Sequence, residues 1–191
     1  MTARVAWTYQ DYAALPDDGK RYEIHDGELS LMAAPSPLHQ MVLLDLATFL
    51  KAHVTARNLG LVMVAPLDVI LTDMPSETTV LQPDIVYLDH GRLEALRMRG
   101  VEGAPTLVVE ILSPSTALSD RTRKRELYAR YGVPYLWFVD PDTRELAAHA
   151  LDSGEYRLVA RVSGSEPVDL PPFTDLRLVP SSLWPQFPIR P

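Results

Sequence analysis

Thr106-Leu107-Val108-Val109-Glu110-Ile111-Leu112-Ser113-Pro114 is the stretch on which the reading of this chain turns. Leucine and β-branched residues closed by Ser-Pro describe an interior strand, yet a glutamate stands in its middle. A second apolar run, Leu81-Gln82-Pro83-Asp84-Ile85-Val86-Tyr87-Leu88, carries Asp84 in the same way. A carboxylate buried without a cation or hydrogen-bond donors costs several kcal/mol, so two of them on neighbouring runs imply that something positive joins them. A divalent metal is the leading candidate. A salt bridge to Arg or Lys is the ordinary alternative for Glu110, and capping a strand after Pro83 is the ordinary alternative for Asp84.

Outward from these runs the chain alternates strand and helix. Thr8 to Leu15 reads as a short capped helix ended by Pro16-Asp17-Asp18-Gly19. Arg21 to His25 and Glu28 to Met32 flank Asp26-Gly27, the dipeptide that tight hairpins select because both central residues need positive φ. Ser36 and Pro37 then cap and open a long helix, with Leu38, Val42, Leu43, Leu46, Phe49, Leu50 and Val54 at helical spacing, stopping near Asn58-Leu59-Gly60. Strands are expected at Leu61 to Ala65, Leu67 to Leu71, Asp84 to Leu88 and Thr106 to Leu112, with loops at Thr72 to Thr79 and His90 to Gly103. A second helix from Ser119 or Asp120 to Tyr131 precedes a strand at Leu136 to Val139 and a closing hairpin of Leu146 to Leu151 with Tyr156 to Val162. The proline-rich tail, residues 166–191, keeps Phe173, Leu176, Leu178, Leu183, Trp184 and Phe187, enough apolar surface to pack as an ordered wrap.

Composition bounds the function. At 191 residues and 47% apolar, the chain fits one globular domain, 1–191, and excludes disordered and fibrous classes. No run approaches the roughly 18 apolar residues of a membrane span, and the amino terminus lacks a signal-peptide core, so a cytoplasmic protein is expected. With no cysteine, a metal must be held by oxygen or imidazole, and His25, His39, His53, His90 and His149 show no paired spacing. That favours Mg²⁺, or Mn²⁺, over zinc. A net charge of −7 argues against a protein that coats nucleic acid, although local clustering outweighs the sum.

In chain order the candidates are Glu23 in the hairpin, His39 in the first turn of the long helix, Asp84, Glu110, and Lys124 on the next helix. Acids on adjacent strands followed by a lysine suit metal-assisted phosphodiester hydrolysis: carboxylates fix the cation and an ammonium orients water or steadies charge. Glu23 facing solvent, His39 as a packed histidine and Lys124 on a solvated basic face are the structural alternatives. Lys124, Tyr128 and Tyr131 nevertheless share one helix face, which lets Lys124 reach inward beneath a basic rim. Ser113 and Ser115 lack the Gly-x-Ser-x-Gly context of a nucleophile.

Arg21-Tyr22-Glu23-Ile24-His25-Asp26-Gly27-Glu28-Leu29, Pro35-Ser36-Pro37-Leu38-His39, Gln82-Pro83-Asp84-Ile85-Val86, Val108 through Thr116, Asp120 through Tyr128 and Gly132-Val133-Pro134 through Pro141, in this order, resemble the Uma-type family of restriction endonucleases within the PD-(D/E)XK nuclease superfamily. The resemblance spans roughly residues 8 to 160. It implies an α/β, restriction-endonuclease-like fold with a mixed sheet flanked by helices, and a Mg²⁺-dependent endonuclease acting on DNA. It implies Asp84 and Glu110 as paired metal ligands, Glu23 as the early acid, His39 as the early histidine, and a homodimer as a plausible assembly. On the residues themselves, Glu23 is expected as an accessory metal ligand or water contact, and His39, at the amino end of its helix, and Arg121 and Arg123, on the basic rim, as phosphate contacts. The superfamily signature has lysine two residues after the second acid; here that position is Leu112, and Lys124, in an Asp-x-x-x-Lys pattern with Asp120, is the natural substitute. The family's Gly-Val-Pro-Glu is Gly132-Val133-Pro134-Tyr135 in this chain. A non-catalytic nucleic-acid-binding or protein-interaction module on the same scaffold is the rival reading.

Overall fold

Asp26 and Gly27 both sit at positive φ, +50° and +76°. They join β1 (Arg21–His25) to β2 (Glu28–Met32) in an antiparallel register running from Arg21 opposite Met32 to His25 opposite Glu28. The structure is a computed structural model that describes residues 6–74, 76–113 and 120–185, without the side chains of Asp120 and Arg121. Ahead of the hairpin, α1 (Tyr9–Ala13) opens on a capping box between Thr8 and Asp11. After it, α2 (Pro37–Ala56) is capped by the Ser36 hydroxyl, which accepts the His39 N–H, and buries Val42, Leu46, Leu50 and Val54 along one stripe.

The strands that follow are β3 (Gly60–Val64), β4 (Val69–Thr72), β5 (Thr79–Leu81), β6 (Ile85–Asp89), β7 (Leu96–Arg97), β8 (Gly100–Glu102) and β9 (Leu107–Ile111). A π-helical turn, Asp120–Lys124, leads into α3 (Arg125–Arg130), and β10 (Tyr135–Asp140), β11 (Glu145–Asp152) and β12 (Glu155–Val162) complete the order. β7 and β8 lie inside a segment expected to be loop, and β5 starts at the end of the other. Two or three residues are too few for a hydrophobic period to register, and pairing creates these strands. β5 is clasped between β1 and β4, and β8 runs parallel to β4. Gly100 permits that last approach, because a Cβ there would fall 2.3 Å from the Asp68 carbonyl oxygen.

Among the described residues the strands form two six-stranded mixed sheets, ordered β2-β1-β5-β4-β8-β7 and β12-β11-β10-β9-β6-β3. The sequence reading anticipated a mixed sheet flanked by helices, and the structure resolves it into these two. The second sheet packs α2 on one face, over Ile85, Val109, Trp137 and Val139. Its other face carries Val86, Val108, Leu136 and Phe138 toward α3 and the first sheet. Each such side chain contributes roughly 1.5–3 kcal/mol by leaving water. In the described part of the tail, Leu170, Phe173, Leu176, Leu178, Leu183 and Trp184 are buried in the α2-side core, with Val168 bridged to Leu178. Phe187 lies outside the described residues. No described helix is long and apolar enough to cross a membrane.

The chain passes from the first sheet to the second through Gln82-Pro83-Asp84, between β5 and β6. The seam so formed is where the expected acids meet.

Candidate active site

Register brings the two opening acids together. β6 and β9 are antiparallel with Ile85 opposite Val109 and Val86 opposite Val108, so one further step puts Asp84 opposite Glu110. Residues so placed have Cβ atoms about 4.5–5.5 Å apart. Both are buried, at 6% and 3% exposure, and both line one small cleft with Arg21, His39, Gln82 and Lys124.

Asp84 is anchored through a single oxygen. Its Oδ2 accepts the Ile111 N–H at 2.7 Å and lies 3.1 Å from His39 Nε2. The Ser36 cap sets His39 in the first turn of α2, and its Nδ1 is buried with no hydrogen-bond partner among the described residues. At Glu110, Lys124 Nζ lies 3.2 Å from each carboxylate oxygen, and the Tyr128 hydroxyl donates to Oε1 at 2.6 Å.

Lys124 is the last residue of the π-helical turn and only 2% exposed. The wide turn and the i, i+4 spacing aim it and Tyr128 into the seam. Lys124 Nζ also lies 3.0 Å from Glu23 Oε1, so one ammonium joins an acid of the first sheet to an acid of the second. Glu23 is fully buried rather than solvent-facing, enclosed by Lys124, Gln82 and His25. Its Oε1 also accepts the Gln82 N–H at 2.8 Å, and Oε2 lies 2.9 Å from His25 Nε2. Burial alone pushes the Glu23 carboxyl up. The Lys124 charge, the hydrogen bond and charge of His25 and the Gln82 N–H outweigh it and hold the group at about 2.

The donor set suits a hard cation. At the seam the carboxylates of Asp84, Glu110 and Glu23 outnumber the described cationic side chains, Lys124 and Arg21, and every acidic donor is oxygen, the kind a hard divalent ion takes. Among the described residues both hydrogen bonds to the Asp84 carboxylate fall on Oδ2, which leaves Oδ1 for a ligand. Glu110 must share its oxygens with Lys124. Glu23, expected as an accessory ligand, already has both oxygens occupied, and among the described residues no three acidic or histidine side chains are arranged around one metal position. The residues that fit a cation are therefore Asp84 and Glu110. The cleft is about 40 Å³, room for an ion with a few waters but not for a nucleotide.

Leu112, where the superfamily has lysine, is instead core, 4% exposed. Arg123 lies away from the cleft: its guanidinium donates to the His25 carbonyl at 3.0 Å and approaches Asp26 and Glu28 at the hairpin tip. The Arg121 side chain, expected beside it, is outside the described residues. Sequence reasoning left out His25, Gln82, Tyr128 and Arg21. Two were signalled by spacing: His25 shares a strand face with Glu23, and Tyr128 a helix face with Lys124. Arg21 lines the cleft and holds Gln82 through its Oε1 and its carbonyl, at 3.1 and 3.2 Å. That contact bridges positions far apart in the chain.

Residues 9–181 match the Uma2 family, described as "Putative restriction endonuclease". The chain belongs to this family. Its match extends past the six motif segments into the C-terminal wrap. Among solved structures, the Uma2 chain is similar to one titled as a putative nuclease belonging to DUF820 from Anabaena variabilis ATCC 29413, at 19% identity and a TM-score of 0.69. The alignment covers 93% of this chain and 97% of the other, so the two share their whole fold. No curated protein matches the chain. Family and fold together make this a nuclease-like protein.

Proposed function

We propose that the protein is a divalent-metal-dependent endonuclease that hydrolyses DNA phosphodiester bonds, with Mg²⁺ or Mn²⁺ held by Asp84 and Glu110. The observation that carries this reading is the convergence of Asp84 and Glu110 at opposed register positions in a cleft that also receives the Lys124 ammonium. A bound cation there would polarise the scissile phosphate and lower the pKa of water. Lys124 orients the attacking water or steadies the charge that builds on phosphate oxygens. Tyr128 and Glu23 are positioning residues, the first fixing Glu110 and the second holding Lys124 by charge. Arg21 at the cleft supplies a guanidinium for a phosphate oxygen, and His39 holds Asp84 by its Nε2. Cutting both strands calls for two such sites, and a two-fold homodimer is the simplest assembly that supplies them.

The test is cleavage of supercoiled plasmid and of single- and double-stranded oligonucleotides in Mg²⁺, Mn²⁺ or EDTA. Metal-dependent nicking by the wild type that disappears in Glu110→Ala supports the reading. Absence of cleavage from every substrate, or cleavage unchanged in Glu110→Ala, rejects it. One observation favours a non-catalytic binding module instead: Lys124 already compensates Glu23 and Glu110, so the seam is satisfied as a structural clasp. A protein that binds DNA but neither binds Mn²⁺ nor cleaves would be of that kind.

A further inference from the structure

The face of the second sheet that carries Glu110 continues sideways into a second cleft. Glu110 on β9 stands beside Phe138 on β10, Phe138 opposite Ala147 on β11, and Ala147 opposite Arg161 on β12. These four form one transverse row at the strand spacing of about 4.8 Å. Phe138, Ala147 and Arg161 line a depression of about 240 Å³, walled by Arg125, the residue after Lys124.

Two buried nitrogens in this lining, Arg125 Nε and His149 Nδ1, have no hydrogen-bond partner among the described residues. Both atoms are sealed from solvent, so a ligand in the cleft would meet the remaining nitrogens of these two side chains rather than these. The chemistry of the walls says which kind. Arg125 and Arg161 are matched by Asp140 and Glu145, with Arg161 held 3.1 Å from Glu145, so a phosphate entering the cleft would meet carboxylates. Burial, and after it the Arg125 charge, push the His149 imidazole below its ordinary value, against backbone hydrogen bonds at Leu136 and Ala147 that favour its charged form. The floor is Phe138 and Ala147, and the His149 ring meets Phe138 edge-on at 5.6 Å. An apolar, partly aromatic floor with donors and acceptors on a charge-balanced rim suits a flat, uncharged heterocycle.

We propose that this cleft binds a nucleobase, one or two strand spacings from Glu110, belonging to the nucleic acid whose phosphodiester enters the first cleft. Its substrate rests on the nuclease reading; its test does not. The row from Glu110 to Arg161 sets the reach, since a base about 5–10 Å from the cleaved phosphate belongs to the same or an adjacent nucleotide. A base seated here would be recognised at its edge by Arg125 and His149, which gives the protein a preference at one position beside the cut.

The experiment is a titration of the isotopically labelled full chain with adenosine, guanosine, cytidine and thymidine in EDTA, followed by amide chemical shifts, with inorganic phosphate as a parallel probe. At least one nucleoside is expected to bind at millimolar concentration and to shift the amides of Phe138, Ala147 and His149. Ala147→Phe, which fills the cleft, should weaken that nucleoside by about tenfold or more. Arg161→Ala, a change at a largely exposed side chain, should weaken it by a smaller factor with the fold intact. The proposal is overturned if no nucleoside shifts these amides, if phosphate alone shifts them equally, or if both variants bind as the wild type does. Because EDTA removes any cleavage, nucleoside binding by a protein that cuts nothing would sustain this site and reject only the nuclease reading.

Discussion

Lys124 Nζ lies 3.0 Å from Glu23 Oε1, joining the residue that leads into α3 to the middle of β1. The same ammonium contacts Glu110 on the other sheet, so the two sheets are tied at one buried charge. Much of what can be measured on this protein follows from that clasp.

Lys124→Met leaves Glu23 and Glu110 buried without their cation. Breaking a buried pair in this way costs about 3–5 kcal/mol. Urea denaturation at neutral pH should show a loss of that size, and plasmid cleavage should fall to background even under conditions where the variant is still folded.

Glu23 gives the clasp a pH dependence. Its carboxyl is held at about 2 in the folded protein against an ordinary value of 4.5. A depressed carboxyl stabilises the fold above its unfolded value, and that stability is lost as pH falls from about 4.5 toward 2. The amount is on the order of 3 kcal/mol. Urea melts across this window should show a shallower decline for Glu23→Gln than for the wild type, and parallel slopes would contradict the assignment.

Asp84→Asn keeps the shape of the side chain and removes its charge. Under the proposed function it should reduce cleavage by at least about a hundredfold and abolish cation-induced thermal stabilisation. In the wild type that stabilisation is expected to reach about 2.7 kcal/mol at a hundredfold excess of Mn²⁺ over Kd. Differential scanning calorimetry with and without Mn²⁺ reads the second effect independently of the first.

Phe173 ties the C-terminal wrap to the core, with ring contacts to His53, Tyr87 and Trp137 at 5.3, 4.9 and 6.1 Å. Phe173→Ala should cost about 3–5 kcal/mol in urea denaturation. A loss below 1 kcal/mol would mean that the wrap adds little.

Local chemistry made much of this legible. Asp26-Gly27 dictated the hairpin, Ser36-Pro37 the start of α2, and the apolar period of Val42, Leu46, Leu50 and Val54 its buried stripe. Those features depend on neighbours within a few residues. β5, β7 and β8 were not legible, because strands of two or three residues exist only by pairing with partners distant in the chain.

The site divides along the same line. By itself the sequence determined that Glu110 sits on an interior strand and needs positive compensation, and it left Asp84 either as a second such acid or as a cap on the strand after Pro83. It also determined that Lys124 shares a helix face with Tyr128. The tertiary structure alone decided that the compensating charge is Lys124, that Glu23 is the second acid on that charge, and that Arg123 clamps the hairpin rather than the cleft. The physical reason is that ion pairing is fixed by distances between groups far apart in the chain. Those distances were set when Gln82-Pro83-Asp84 carried the backbone from one sheet to the other.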